Sequence, residues 1–170
     1  MKHTAHILLI GLAPLAFVSH SGAVTAQEAP WSGAYFGGDV GLTLGNSNDV
    51  TRSLHFGVNR QMGRTVLGGE VEYIETDIGT RVGTIDDMTL VKLRAGRVKG
   101  KTLYYGVLGG GQAHGRFGSE IGYVAGFGAE YAISSDLTVG GEMMHQGFSD
   151  FAGSGSLGVN TLSARVSYHF

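Results

Sequence analysis

The sequence predicts an all-β fold, an eight-stranded antiparallel up-and-down β-barrel of the transmembrane kind. Three observations carry that expectation. Glycine supplies 30 of 170 residues and recurs every few positions, which disfavours helix throughout the chain. Apolar and polar residues alternate with a period of two in segment after segment, as in a strand with two unlike faces. The segments number eight, each of about 10–13 residues, close to the ~9–11 that a tilted strand needs to cross a bilayer.

Composition narrows the alternatives. Hydrophobic residues make up 42%, which excludes a chain disordered by composition. Charged residues are 15%, below the roughly 25% usual for soluble domains. A net charge of −2 gives no electrostatic case for nucleic acid. The absence of cysteine removes disulfide frameworks, zinc–thiolate sites and thiol catalysis together.

Residues 1–26 have the three-part layout of a secretory signal peptide: Lys2, an apolar run from Ile7 to Val18, and small residues from Ala23 to Ala26. The run is about 12 residues, short of the ~20 of a transmembrane helix, and Pro14 interrupts it. Cleavage after Ala26 is expected to leave residues 27–170 as one barrel domain, with 11 basic and 14 acidic residues.

Strands are expected at 33–45, 51–62, 65–76, 87–98, 102–113, 119–132, 137–148 and 159–170. The last is the clearest: Leu162, Ala164, Val166, Tyr168 and Phe170 oppose Thr161, Ser163, Arg165, Ser167 and His169. Upstream, Ile121, Tyr123, Ala125, Phe127, Ala129 and Tyr131 oppose Glu120 and Glu130, with Val124 out of phase. Leu54, Phe56 and Val58 oppose Ser53, His55 and Asn59, while Val71 and Tyr73 oppose Glu70 and Glu72. Val91, Leu93 and Ala95 oppose Lys92 and Arg94, though Met88 and Leu90 blur the pattern. Leu137, Val139 and Met143 oppose Thr138, Glu142 and Gln146. The first and fifth segments alternate less cleanly. Tight turns are expected at 63–64, 99–101 and 133–136, and longer loops at 46–50, 77–86, 114–118 and 149–158. Short turns at one end and longer loops at the other are the outer-membrane pattern.

A small membrane barrel turns its apolar face to lipid and its polar face to the lumen. Eight strands enclose a space just wide enough for side chains. Tyr73, Tyr105, Tyr123, Tyr131, Tyr168 and Phe170 are expected on the apolar face as interfacial aromatics. Glu70, Glu72, Glu130 and Glu142 are expected inside with Lys92, Arg94 and Arg165, joined by Asp39, His55 and His169. An unpaired charge there costs several kcal/mol, so a structural salt-bridge network that blocks a wide pore is expected.

The stretch WSGAYFGGDVGLTLG resembles the W-x-G-x-Y-x-G-G opening of the small porin-family, OmpA-like barrels of α-proteobacteria. LRAGRV resembles their central segment. LYYGVLGGGQAHG, GYVAGFGAEYAISSDLTVGGE and VNTLSARVSYHF resemble their later strands, in the same order. Residues 142–148 depart from the family's pattern, lacking two tyrosines. The resemblance implies a structural and surface role in the envelope. The barrel itself is expected to contact outer-membrane lipid and lipopolysaccharide, with both termini periplasmic. The resemblance also implies that Phe170, with Tyr168 and the alternation before it, is read by the barrel-assembly machinery.

Other functions make different demands. A small-solute channel needs an open lumen. A lipid A acyl-modifying barrel needs a nucleophile, base and acid on the lipid side; His145 with Ser149 and Glu75 or Asp150 are the candidates, without the expected motif. A soluble lipocalin-like barrel would place the apolar face inside. No histidines form an H-x-x-x-H or H-E-x-x-H pair and no glycine run has phosphate-loop context, so neither metal nor cofactor is expected.

Overall fold

The computed structural model describes residues 31–44, 49–80, 83–115, 118–148 and 157–170. The expected signal segment lies outside them. Eight strands run β1 Gly33–Leu44, β2 Val50–Met62, β3 Thr65–Thr80, β4 Gly83–Lys99, β5 Thr102–Gly115, β6 Gly118–Ala132, β7 Leu137–Phe148 and β8 Leu157–His169. Each pairs antiparallel with its sequence neighbour, and β1 pairs with β8, so the sheet closes into a barrel in chain order. Closure satisfies the ladder groups of both outer strands and leaves no edge. The seam continues to the chain end, where the Phe170 amide donates to the Ala34 carbonyl at 2.9 Å.

The tight turns lie at the end that carries Trp31 and Phe170. Gly63 and Gly100 both have φ of 62°, the left-handed backbone that glycine adopts without a Cβ penalty. At the opposite end two expected loops are shorter than the sequence suggests. Of 77–86, β3 and β4 take all but residues 81–82, with Ile78 opposite Ile85 and Thr80 opposite Gly83. Irregularities at Glu75/Ile78 and Ile85/Asp87 shift the phase of the alternation, so the strands outrun the readable pattern. Likewise His114 pairs with Ser119 and Gly115 with Gly118, inside the expected loop 114–118.

The two faces are inverted relative to a water-soluble barrel. Leu54, Leu93, Ile121 and Phe127 are 65–76% exposed on the outside, whereas Lys92, Glu130 and Arg165 are at most 2% exposed inside. Tyr105 does not join the outer aromatics. It is buried in the lumen, and its neighbour Tyr104 takes the outward place. Adjacent residues of a strand face opposite ways, so only one of the pair can point out; interior arginines receive the other.

The lumen has three storeys. Near the termini it is apolar, with Trp31, Val66, Leu103 and Ala132 buried. The middle storey is charged. Toward the opposite end Ile74, Ile85, Met88, Leu90, Val124, Met144 and Phe148 form a second apolar layer. Met88, Leu90 and Val124 break the outward alternation because they belong to this layer.

Glycines make room for the long interior side chains. Across the ladders Glu70 faces Gly57, Arg94 faces Gly68, Lys92 faces Gly109, Glu142 faces Gly128, and Glu130 and Arg165 both face Gly140. Small opposite large is how a narrow barrel fills its interior. A Cβ on Gly109 would strike the Val91 carbonyl and lie 2.9 Å from the Lys92 Cα, whereas on outward Gly69 it meets nothing nearer than 3.8 Å. Gly109→Ala is therefore expected to cost about 1–3 kcal/mol through overpacking, and Gly69→Ala under about 0.5 kcal/mol. Urea unfolding of the two variants in one detergent checks this difference.

Candidate functional site: a charge network drawn from all eight strands

Inward-pointing residues of the middle storey arrive from every strand. Glu70 of β3 is the hub. Its carboxylate accepts from the Tyr35 hydroxyl of β1 at 2.7 Å and lies 2.7 Å from Lys92 Nζ and 3.1 Å from Arg94 of β4. It lies 2.8 Å from Arg165 Nη2 of β8. Arg165 reaches Glu142 of β7 at 2.7 Å and Asp39 of β1 at 3.4 Å, and donates to the Tyr105 hydroxyl of β5 at 3.2 Å. Arg94 pairs with Glu130 of β6. Its guanidinium carbon sits 4.0 Å from the Tyr105 ring centroid, a cation–π contact.

A side branch crosses the β1–β8 seam. The His55 ring of β2 sits 2.7 Å from Asp39 through Nδ1 and 2.8 Å from the Ser167 hydroxyl through Nε2. Ser53 donates to Glu72 at 2.6 Å and stands 3.0 Å from Asp39. His169 contacts Thr138 at 3.1 Å and lies edge-on to Trp31, so it belongs to the boundary with the lower apolar storey.

The structure thus brings Glu70, Glu72, Lys92, Arg94, Glu130, Glu142 and Arg165 into one connected cluster. Sequence reading misses Tyr35 and Tyr105. Both lie over glycines of the next strand, Gly57 and Gly128, where an added Cβ would enter the ring. The available signal is the ladder pairing of tyrosine with glycine, which needs the register.

Glu70, Glu72 and Glu142 have carboxylate oxygens close enough together to hold a cation. Lys92 Nζ already occupies that place, at 2.7, 2.6 and 2.9 Å from the three. The ammonium supplies the positive charge that a metal would bring. The charges of the cluster pair with one another across strands, an arrangement that can hold the strands together. Of the lipid-side catalytic candidates, His145 on β7 lies 2.9 Å from Asn160 Oδ1, while Glu75 is on β3, on the far side of the barrel. Ser149 and Asp150 lie outside the described residues. Tyr168 and Phe170 point outward, their rings 5.3 Å apart, and Phe36 stacks on Phe170 at 5.9 Å.

Two solved structures share this architecture. Ail, the attachment invasion locus protein of Yersinia pestis, superposes with a TM-score of 0.52 at 15% identity, over 81% of this chain and 96% of Ail. Neisserial surface protein A superposes with a TM-score of 0.57 at 14% identity, over 82% of this chain and 98% of that protein. At that identity the likeness establishes the small eight-stranded outer-membrane barrel fold. No protein-family model matches the chain, and no curated sequence does.

Removing the hub should be expensive. Glu70→Ala strips an anion from Lys92, Arg94 and Arg165 at once, and breaking one partner of a buried pair costs about 3–5 kcal/mol. Glu75→Ala, on the exposed outer face, should cost under about 0.5 kcal/mol. Urea folding equilibria in a single lipid or detergent measure both.

Proposed function

We propose that the chain is an integral outer-membrane barrel with a structural and surface role in the bacterial envelope, its lumen closed by the charge network and the apolar storeys above and below it. The inversion of its faces carries this reading. A water-soluble barrel would not expose Leu54, Leu93, Ile121 and Phe127 while burying Lys92, Arg94 and Arg165. Lipid makes sense of both choices, because it solvates the aliphatic wall and demands that ladder groups be satisfied within the sheet.

The height of the apolar wall supports the same reading. On β4, outward Asp87 and outward Arg97 are ten residues apart. At about 3.3 Å per residue and a tilt of roughly 40° they bracket ~25 Å, the height of the lipid-facing band in outer-membrane barrels. The motif order that resembles porin-family, OmpA-like barrels fits, with Trp31 and Tyr35 of its opening segment buried in the lower and middle storeys. The short turns at the terminus end favour a periplasmic position for that end, and the layout of residues 1–26 favours export. Exposed Tyr168 and Phe170 suit recognition by assembly machinery. The long β3–β4 hairpin, with strands of 16 and 17 residues, favours an outer-surface contact at its tip. We infer a non-enzymatic role, because among the described residues the buried carboxylates are taken up by Lys92, Arg94 and Arg165.

In membrane fractions from the native cell the protein should stay in the outer-membrane pellet through alkaline carbonate extraction. Purified and reconstituted in planar bilayers, it should give no stable unitary conductance. Release into the supernatant would overturn the membrane reading. Retention with a steady conductance would overturn the closed lumen and favour a small-solute channel.

A further inference from the structure

Among the described residues, the outer wall is charged unevenly at its two ends. Among the described residues at the end away from the termini the outward charges are mainly acidic: Glu75, Asp86 and half-buried Asp87, with Arg52 nearby and His114 3.0 Å from Asp87. At the terminus end, strands β2–β5 and their two turns carry Arg60, Arg64, Arg97, Lys99 and Lys101, all exposed. Among the described residues none of these five forms an ion pair. The third turn at that end, Ser134–Ser135–Asp136, carries no cation. The basic surface therefore covers one side of the barrel and is not a ring around it.

Backbone geometry gathers these cations. The Val98 amide donates to the Arg64 carbonyl at 2.7 Å, which lays the β2–β3 turn against the end of β4. Thr65 pairs with Arg97, and Arg97 with Tyr104, so three outward side chains share one level of the wall. Arg64, Arg97, Val98, Lys99, Gly100 and Tyr104 line a shallow concavity of about 550 Å³. Above it the wall is apolar, through Leu67, Leu93 and Leu108, which are 45–69% exposed.

We propose that this concavity binds the phosphate head group of an anionic phospholipid, with the acyl chains lying along the apolar wall above. The inference rests on the membrane reading. Guanidinium groups grip phosphate oxygens in bidentate fashion, and lysine adds point charge. Tyr104 stands at the level where aromatic rings meet head groups. The charge is complementary to a phosphodiester, and the height matches the edge of the lipid-facing band.

The test uses the refolded barrel in vesicles of equimolar phosphatidylglycerol and phosphatidylcholine, with co-purified lipid read by native mass spectrometry. Each cation near a lipid surface contributes roughly a fivefold preference for anionic lipid before screening. Bound phosphatidylglycerol should therefore exceed phosphatidylcholine by about tenfold or more. Replacing Arg64, Arg97 and Lys99 together by Gln should bring the ratio near one, and Arg97→Gln alone should give an intermediate value. Arg52→Gln, at the opposite end, should leave it unchanged. No preference in the native chain, or the same preference in the triple variant, would overturn the proposal with the barrel still inserted. Displacement of the lipid by millimolar inorganic phosphate would overturn a lipid site in favour of a phosphate site. Failure to insert into the vesicles at all would instead remove the membrane reading, and this inference with it.

Discussion

Eight strands close around a space just wide enough for side chains, and most of this structure follows from that constraint. Asp39, Glu70, Glu72, Glu130 and Glu142 share the middle storey with Lys92, Arg94 and Arg165. All are buried, so each must find partners on other strands. Glu70 therefore contacts β1, β4 and β8, and Arg165 contacts β1, β3, β5 and β7. The network ties together strands far apart around the barrel, and it specifies register. A one-residue slip of any strand would turn its charges onto the apolar face.

The glycine content has the same origin. Long charged side chains fit only where the facing ladder position is empty, as Gly109 is opposite Lys92 and Gly140 opposite Arg165. Tyrosines at 35 and 105 use the same device, each ring lying over a glycine of the next strand. The high glycine share that first argues against helices is thus the complement of a crowded interior.

Strand number, turn positions and facing are legible in the sequence because period-two alternation is strong wherever the two sides meet unlike surroundings. The strand 137–148 has its observed limits, and Glu130 and Arg165 can be assigned inward from their neighbours alone. What is not legible depends on pairing across strands. Alternation cannot say that Glu70 meets Tyr35, or that Tyr105 and not Tyr104 turns inward. It also fails where both faces are apolar, as around Met88, Leu90 and Val124. There an inner hydrophobic layer replaces the polar lumen and the periodic signal fades. Bulges near Glu75 and Ile85 hide the extra length of β3 and β4 for a related reason. The uneven basic surface at the terminus end is invisible until the turns are placed side by side.

We place lipid, not water, against the face carrying Leu162, Ala164 and Val166, with Thr161, Ser163 and Ser167 inside. The chain has no cysteine, so single cysteines can be placed at these positions one at a time. Nitroxide labels on the reconstituted protein would then report collision with oxygen, which concentrates in lipid, and with a water-soluble nickel chelate. Lipid on that face should give strong oxygen collision and weak nickel collision at 162, 164 and 166, and little of either at 161, 163 and 167. Strong nickel collision at 162, 164 and 166 would contradict it, because it would put water against the apolar wall.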